Sequence, residues 1–274
     1  MATPNRDNEV IIVHISDLHV ESEHYSKELE ERLIGYLREL RPDVVVVTGD
    51  LTDNGYVHEY RATTRLLNRL KAKRILVVPG NHDSRNMGHV VFERVFGTRF
   101  PFLCYKDICI QGVDSSEPDI DDGHIGRLTY DLVEERLRDR GRLRIVALHH
   151  HLIPVPGTGR ERNIPVDAGD FLRVLIDLKV NIVLSGHKHV PWMWSLNGML
   201  ILHAGTATTY RLKAGIPPSI NTLYIRGYEV EVRRLDLQDM KEETVYQGIP
   251  NPITLDRGYD FTNIDYYLKL DSNK

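Results

Sequence analysis

Short runs of valine and isoleucine alternate with longer amphipathic stretches through the first half of the chain. Residues 10–16, 44–48 and 74–78 have the composition of buried strands. Between them, residues 27–40 and 59–70 repeat apolar side chains at helical spacing, as helices do when they cover a sheet. This alternation predicts βαβ units and therefore an α/β protein.

The second half of the chain is richer in strands. Residues 100–105 and 108–113 resemble the two arms of an antiparallel hairpin. The other predicted elements are helices at 84–96, 131–140 and 166–178, and strands at 143–148, 181–184, 192–196, 200–203, 222–225 and 228–235. Apolar strands flanked by helices, with antiparallel strands added later, suggest two β-sheets stacked face to face beneath outer helices.

The last part of the chain differs in character from the rest. No repeat or linker divides residues 1–237, which are predicted to form a single domain. Residues 238–274 are polar and weakly periodic, and they are predicted to be a C-terminal extension of unknown role. A wrapped arm, a partner contact (for example in a homo-oligomer) and a frayed tail all remain open.

Composition limits the partners that the chain can have. A net charge of −4 gives no strong nucleic-acid signal, because nucleic-acid binders usually carry a basic face, so a small-molecule substrate is expected. The apolar runs are too short to span a membrane, and residues 1–9 lack the apolar segment of a signal peptide. Cys104 and Cys109 alone do not form a disulfide framework, which favours a reducing compartment. A cytoplasmic location is the resulting expectation.

Five short motifs of histidine and aspartate follow the apolar runs, each where a predicted strand gives way to a loop. They are Asp17-Leu18-His19, Gly49-Asp50, Gly80-Asn81-His82-Asp83, His149-His150-His151 and Gly186-His187-Lys188-His189. In open α/β sheets, ligands gather at the carboxyl ends of the strands. We therefore expect these motifs to converge on one site.

The side chains of these motifs are typical of a transition-metal site. The candidate ligands are two carboxylates, four imidazoles and one amide oxygen, without a thiolate, a set that suits manganese, iron, zinc, cobalt or nickel. Seven ligands exceed what one small cation takes from a protein, whereas two ions that share a carboxylate use them all. Because a pair of ions about 3.5–4 Å apart can clamp a phosphoryl group, the set predicts hydrolysis at phosphorus by two divalent or trivalent metal ions.

The order of the motifs resembles that of the calcineurin-like metallophosphoesterase superfamily. The resemblance runs from Asp17 to His189, and every motif position is filled. It implies a four-layer αββα sandwich of two mixed β-sheets flanked by helices, with a dinuclear metal site at the strand ends. It also implies that Asp50 bridges the two metals. The first metal would take Asp17, His19, Asp50 and His189, and the second would take Asp50, Asn81, His149 and His187.

The resemblance also implies roles for two residues that bind no metal. His82 would lie beside the leaving-group oxygen, and Asp53 would hold its other ring nitrogen. The implied reaction is attack on phosphorus by a hydroxide that bridges the metals, with His82 assisting the leaving group. General acid assistance of this kind typically contributes about 10²–10⁴-fold to the rate.

One departure from the superfamily pattern narrows the expected substrate. Protein serine/threonine phosphatases carry Gly-Asp-x-x-Asp-Arg-Gly, whose arginine grips phosphate, and here Asn54 takes the place of that arginine. The motifs look more like those of the class III cyclic-nucleotide and glycerophosphodiester phosphodiesterases, which implies small phosphodiester substrates. A phosphomonoesterase or nuclease on the same metals is one alternative, and a non-catalytic scaffold or binding protein on this fold is another.

Several side chains near the motifs have open or weaker assignments. A strand through Leu148 makes His149 the natural ligand, with His150 as the alternative ligand or a substrate contact. Arg85 is a second candidate for substrate binding. Asp83 is expected to cap the helix at residues 84–96.

A loop rich in proline, glycine and arginine, residues 154–165, has the composition of a pocket edge. Its Arg160 and Arg162 are candidates for contact with an anionic substrate.

Overall fold

The computed structural model describes residues 9–159 and 163–253. The strands are β1 (Glu9–Ile15), β2 (Val44–Thr48), β3 (Ile75–Val78), β4 (Phe102–Tyr105), β5 (Ile108–Val113), β6 (Ser116–Glu117), β7 (Ile120–Gly123), β8 (Leu143–Leu148), β9 (Ile182–Ser185), β10 (Trp192–Leu196), β11 (Met199–His203), β12 (Ser219–Arg226), β13 (Glu229–Asp236) and β14 (Lys241–Gly248). The helices are α1 (Lys27–Leu40), α2 (Val57–Arg69), α3 (Gly88–Phe96), α4 (Arg127–Leu137) and α5 (Ala168–Asp177), with a 3₁₀ helix at His82–Met87.

The strands form two six-stranded mixed sheets. The order of the first sheet is β14-β13-β12-β1-β2-β3, and that of the second is β10-β11-β9-β8-β5-β4. Parallel pairing joins β1, β2 and β3 in the first sheet and β5, β8, β9 and β11 in the second. Antiparallel strands extend both sheets outward, and β6 and β7 form a separate hairpin.

The inner strands are buried on both faces. In β2, Val44 and Val46 pack between the two sheets, whereas Val45 and Val47 pack beneath the outer helices α1 and α2. Successive side chains of a strand point to opposite faces, so a strand covered on both sides needs an uninterrupted apolar run. The valine run in the sequence is explained by this double burial.

Helices cover the outer face of each sheet. On the first sheet, α1 buries Leu29, Leu33 and Leu37. On the second, α4 and α5 bury Val133 and Phe171. The prediction of a four-layer αββα sandwich is confirmed.

The predicted helix at residues 84–96 is wrong in its first four residues. The α-helix begins at Gly88, and a 3₁₀ helix precedes it. Asn86 and Met87 have φ values of 50° and 63°, in the left-handed region that interrupts a right-handed helix. This break separates the motif at residues 80–83 from the start of α3.

Strand β14 is an addition that the sequence pattern does not predict. It pairs antiparallel with β13 at the edge of the first sheet, so the expected boundary at residue 237 falls in the turn between these strands. The side chains of β14 are exposed or half-exposed, which explains why its sequence lacks an apolar alternation. The remainder of the expected extension, residues 254–274, lies outside the described residues, as do residues 1–8.

Cys104 and Cys109 face each other across the β4–β5 hairpin and form a disulfide. Two cysteines in a long chain do not predict this link, because their direct opposition depends on the register of the hairpin. Within residues 9–159 and 163–253, none of the helices has both the length and the apolar character needed to cross a bilayer.

Candidate metal centre

The five histidine and aspartate motifs converge at one edge of the sandwich. They follow the carboxyl ends of β1, β2, β3, β8 and β9, and parallel strands place these ends at the same edge of each sheet. Asp17, His19, Asp50 and His189 offer ligand atoms within 4.8 Å of one another, and we call this group site A. Asp50, His149 and His187 form a second such group, which together with Asn81 we call site B.

Site A holds two imidazoles and two carboxylates. His19 Nε2 lies 3.2 Å from His189 Nε2 and 3.6 Å from Asp50 Oδ2, and His189 Nε2 lies 3.2 Å from Asp17 Oδ1. All four side chains are buried. The four ligand atoms therefore surround a common point.

Site B has a similarly compact arrangement. Asn81 Oδ1 lies 3.1 Å from both His149 Nε2 and His187 Nδ1, and these two nitrogens are 3.1 Å apart. Asp50 Oδ2 completes the group at 3.4 Å from His149 Nε2. His149, not His150, is thus the member of the histidine triplet that faces the other candidate ligands.

Asp50 belongs to both sites through one oxygen atom. Its Oδ2 lies between the ring nitrogens of His19 and His149, while its Oδ1 accepts a hydrogen bond from the backbone N–H of His82 at 3.0 Å. The backbone contact fixes which oxygen faces the centre.

In two of the four candidate ligand imidazoles, a backbone carbonyl contacts the second ring nitrogen. His149 Nδ1 contacts the carbonyl of Thr48 at 2.7 Å, and His189 Nδ1 contacts the carbonyl of Arg211 at 2.5 Å. A carbonyl oxygen can only accept, so each Nδ1 carries the proton and each Nε2 presents a lone pair to the centre. This is the tautomer that a metal requires.

The loops hold the candidate ligands in unusual backbone conformations. Asp17, His19, Asp50, His187 and His189 all have positive φ, between 42° and 70°. Non-glycine residues adopt this region at a cost of roughly 1–3 kcal/mol each, and such strain clusters at functional sites. Backbone hydrogen bonds between the loops offset the cost, including those from Asp17 N to the carbonyl of Gly49 and from His187 N to Asp17 Oδ2.

The chemistry of the donor set fits a pair of transition-metal ions. The groups are imidazoles, carboxylates and an amide oxygen, as such ions prefer. Within the described part of the chain, no group donates a hydrogen bond to the buried Asp17 Oδ1. A buried carboxylate oxygen without a donor is costly unless a cation binds it.

Gly186 allows the two halves of site A to approach each other. A Cβ atom at this position would lie 1.8 Å from Ser16 Oγ and 2.5 Å from Asp17 Oδ2. We expect Gly186→Ala to lower the free energy of unfolding by about 1–3 kcal/mol or more, because the crowded loops must move apart. Chemical denaturation measures the change.

Gly35→Ala is the matched control, because a Cβ there would meet no atom within 4 Å and Gly35 lies inside α1. It should stabilise the protein by roughly 0.5–1 kcal/mol, as alanine does in a helix. Equal denaturation midpoints for Gly186→Ala and the wild type would contradict the close approach of the two loops.

His82 lies beside the centre, and Asp53 contacts it as expected, but mainly through the backbone. His82 Nδ1 contacts the carbonyl oxygen of Asp53 at 2.6 Å, whereas Asp53 Oδ1 is 3.5 Å away. The same Oδ1 lies 3.3 Å from His19 Nδ1. Hydrogen bonds to His19 and, to a lesser extent, to His82 lower the pKa of Asp53. Burial disfavours the charged form of His82, but Asp50 and Asp53 outweigh it and raise the pKa of His82.

Asp83 does not cap a helix as expected. Its buried carboxylate accepts hydrogen bonds from the backbone N–H groups of Gly80, Leu51 and Thr52 and from the hydroxyl of Thr52. It therefore ties the loop that carries Asp50 to the loop that carries Asn81. In the sequence, the position of Asp83 just before a predicted helix suggests a cap, but apart from Gly80 its donors come from 31 and 32 residues away.

The position of His150 does not match its predicted contact with substrate. It is fully buried, and its two ring nitrogens contact Ser115 Oγ at 2.9 Å and the carbonyl of Asp121 at 3.2 Å. Burial lowers the pKa of His150 to about 3, so the ring is neutral. We revise its expected role to supporting the β6–β7 hairpin.

A small open pocket of about 210 Å³ leads to the metal centre. Arg85, a candidate for substrate binding, lines this pocket, and its Nη2 donates to Asp121 Oδ1 at 2.6 Å. Arg211 and Lys213, from the β11–β12 loop, also line the pocket and were not singled out by any motif. In the sequence, the only indication of their position is that they follow a strand whose carboxyl end lies at the same edge of the sandwich as the five motifs. Arg160 and Arg162 lie outside the described residues.

Residues 11–191 match the family model for calcineurin-like phosphoesterases. The chain belongs to the calcineurin-like phosphoesterase family. The match covers all five motifs, and the two sites supply the ligand clusters that a metal-dependent phosphoester hydrolase of this family needs.

Curated relatives include enzymes named for two kinds of substrate. The chain is 26% identical over 228 residues to a probable cyclic nucleotide phosphodiesterase of Vesicomyosocius okutanii subsp. Calyptogena okutanii, which covers 79% of this chain and 94% of the relative. It is 27% identical over 213 residues to the glycerophosphodiester phosphodiesterase GpdQ of Enterobacter lignolyticus, covering 66% of this chain and 71% of the relative. These are distant similarities.

Solved structures of similar fold include two with a TM-score of 0.67. One is the purple acid phosphatase PPD1 from yellow lupin seeds, at 15% identity over 86% of this chain and 53% of that chain. The other is GAP50 of Plasmodium, at 12% identity over 96% of this chain and 95% of that chain. At these identities the likeness shows the shared fold alone.

Proposed function

We propose that the chain is a dinuclear metal-dependent phosphodiesterase that hydrolyses small phosphodiesters, of the cyclic nucleotide or glycerophosphodiester type. The observation that carries the proposal is the position of Asp50 Oδ2, 3.6 Å from His19 Nε2 and 3.4 Å from His149 Nε2. One carboxylate oxygen stands between two groups of ligands, as a bridge between two ions requires.

Sites A and B would each hold one transition-metal ion, with manganese, iron, zinc, cobalt and nickel as candidates. When bound, such a pair supplies Lewis-acid polarisation of a phosphoryl group and acidifies water. Residues around the two sites orient the side chains that would bind the pair. Asp83 holds the loop of Asp50, and the carbonyl groups of Thr48 and Arg211 fix the ligand tautomers.

In this proposal, His82 delivers a proton to the departing oxygen. Nδ1 contacts the Asp53 carbonyl, so Nε2 is the nitrogen that faces the pocket, where Arg211 Nη1 lies 3.5 Å from it. The neighbouring carboxylates that raise the pKa of His82 favour its protonated form. A proton on Nε2 is in position to reach a leaving alkoxide.

The preference for diesters rests on residue 54 and on the relatives. The side chain of Asn54 contacts Asp53 at 3.4 Å and carries no positive charge. A dianionic monoester therefore lacks the arginine that the protein phosphatases provide at this position. The names of the cyclic nucleotide and glycerophosphodiester relatives support the same substrate class.

A panel of chromogenic esters tests the proposed function. With added Mn²⁺, we expect bis(p-nitrophenyl) phosphate to be hydrolysed with a higher kcat/KM than p-nitrophenyl phosphate. Treatment with a chelator should remove the activity, and Mn²⁺ should restore it, because the ligands alone cannot polarise the phosphoryl group. Faster hydrolysis of the monoester would favour a phosphomonoesterase, and full metal loading without hydrolysis of either ester would favour a non-catalytic binding protein.

A further inference from the structure

Two guanidinium groups approach opposite nitrogens of the His82 ring. Arg85 Nη1 lies 3.0 Å from His82 Nδ1, and Arg211 Nη1 lies 3.5 Å from His82 Nε2. Nε2 is the nitrogen that faces the proposed position of the leaving group. Arg211 is therefore the cation nearer to the reacting side of His82.

The backbone of Arg211 is tied to the metal centre. Its carbonyl oxygen accepts a hydrogen bond from His189 Nδ1 at 2.5 Å. The loop before it is held by hydrogen bonds from Tyr210 N to the carbonyl of His24 and from Thr208 Oγ1 to the carbonyl of Leu18. The guanidinium thus extends from a fixed anchor beside site A.

The guanidinium of Arg211 retains donors for a ligand. Its Nη1 lies 3.2 Å from Asp53 Oδ1, and the side chain is 43% exposed. In the described ranges, the polar contacts of this side chain involve Nη1 only. A guanidinium has five N–H groups, so Nε and Nη2 remain available to an anion.

Arg85 differs from Arg211 in this respect. Its Nη2 donates to Asp121 Oδ1 at 2.6 Å, and the same carboxylate accepts from Asn81 Nδ2 at 3.0 Å. Arg85 is therefore paired with a carboxylate that also turns the oxygen of Asn81 toward site B. Both Nη groups of Arg85 are engaged within the protein, whereas only one Nη group of Arg211 is, which leaves Arg211 as the better hydrogen-bond donor to an anion.

We propose that Arg211 binds a non-bridging oxygen of the substrate phosphoryl group next to His82 Nε2. Lys213, two residues further along the same loop, adds a second positive charge to this side of the pocket. The proposal rests on the proposed phosphodiesterase function. The position of Arg211 differs from that of Asn54, and it lies beyond residues 11–191, the range that the family model matches.

The test compares Arg211→Gln and Arg211→Lys with the wild type, each loaded with Mn²⁺. With bis(p-nitrophenyl) phosphate as substrate, Arg211→Gln should raise KM by about 10- to 100-fold, the effect of losing a hydrogen bond to a charged group. The inhibition constant of inorganic phosphate should rise by a similar factor, and kcat should change less. For Arg211→Lys, KM and the inhibition constant should lie between those of the wild type and Arg211→Gln, because lysine keeps the positive charge but loses the planar two-donor geometry of the guanidinium. Arg61→Gln, on the exposed side of α2, is the matched control and should leave both constants unchanged.

Direct binding of inorganic phosphate, measured by calorimetry, separates this proposal from the proposed function. If the wild type hydrolyses no diester but loses phosphate affinity on Arg211→Gln, the phosphodiesterase function fails and the binding role of Arg211 stands. Unchanged phosphate affinity in Arg211→Gln would overturn the binding role. A loss of bound Mn²⁺ in that variant would also overturn the binding role, because the side chain would then act on site A through Asp53 instead of binding phosphate.

Discussion

Replacing Asp50 with asparagine should abolish hydrolysis and metal binding together. The backbone N–H of His82 donates to Asp50 Oδ1 and needs an acceptor, so the new amide would keep its oxygen there. Its NH₂ group would then occupy the position of Oδ2, between His19 and His149, without a lone pair for a metal. Mutation of a residue that only hydrogen-bonds to a metal ligand typically lowers metal affinity or activity by about 10–100-fold. A shared direct ligand should therefore cost at least about 1,000-fold in kcat/KM.

Metal content and thermal unfolding reveal the cause of that loss. The melting temperature of the wild type should rise when Mn²⁺ is added, because only the folded state binds the ions, and that of Asp50→Asn should not. Asp177→Asn, at a half-exposed position on α5, is the control and should behave as the wild type does. An Asp50→Asn variant that keeps both ions would show that Oδ2 is not their bridge.

Replacing His82 with alanine should slow the hydrolysis of poor leaving groups far more than that of good ones. Assistance by a general acid is worth about 10²–10⁴-fold, and we expect a loss of this size with an alkyl diester. With bis(p-nitrophenyl) phosphate the loss should be smaller, because p-nitrophenolate departs without a proton. The ratio of kcat values for the two substrates measures the effect.

Two controls accompany this variant. Metal content should stay unchanged, because His82 lies outside sites A and B and belongs only to a third group of possible ligands, with His19 and Asp53. His58→Ala, at an exposed position at the start of α2, should alter neither substrate's rate. An equal loss with both leaving groups, with the metals retained, would rule out proton delivery by His82 and point to a role in binding.

Local sequence patterns predict much of this fold. Helix α1 has the predicted bounds, because Leu29, Leu33 and Leu37 form a continuous apolar face and Arg41 ends the helix in the left-handed conformation. The buried strands β2 and β5 also have the predicted bounds. In these segments, the periodicity of burial and the local backbone preference agree.

The errors occur where contacts distant in sequence decide the structure. Asp83 looks like a helix cap locally, but most of its donors come from the loop after β2. Strand β14 forms because β13 offers it an edge, and its own exposed side chains carry little apolar signal. Arg211 reaches the pocket only because the β11–β12 loop is bonded to residues 18–26 and to His189. None of these contacts leaves a pattern in the neighbouring sequence.

The metal-binding motifs could be predicted because each one carries its chemistry within a few residues. Their convergence follows from parallel strands, whose carboxyl ends share an edge. The exact partner of each ring nitrogen could not be predicted. His150, adjacent to His149 in the chain, contacts Ser115 and Asp121 instead of the candidate ligands.

Anomalous diffraction from crystals grown with Mn²⁺ tests the shared carboxylate most directly. Two peaks per chain are expected, one among Asp17, His19 and His189 and one among Asn81, His149 and His187, with a carboxylate oxygen of Asp50 coordinated to both. A single peak, or two peaks of which only one contacts Asp50, would contradict the dinuclear centre.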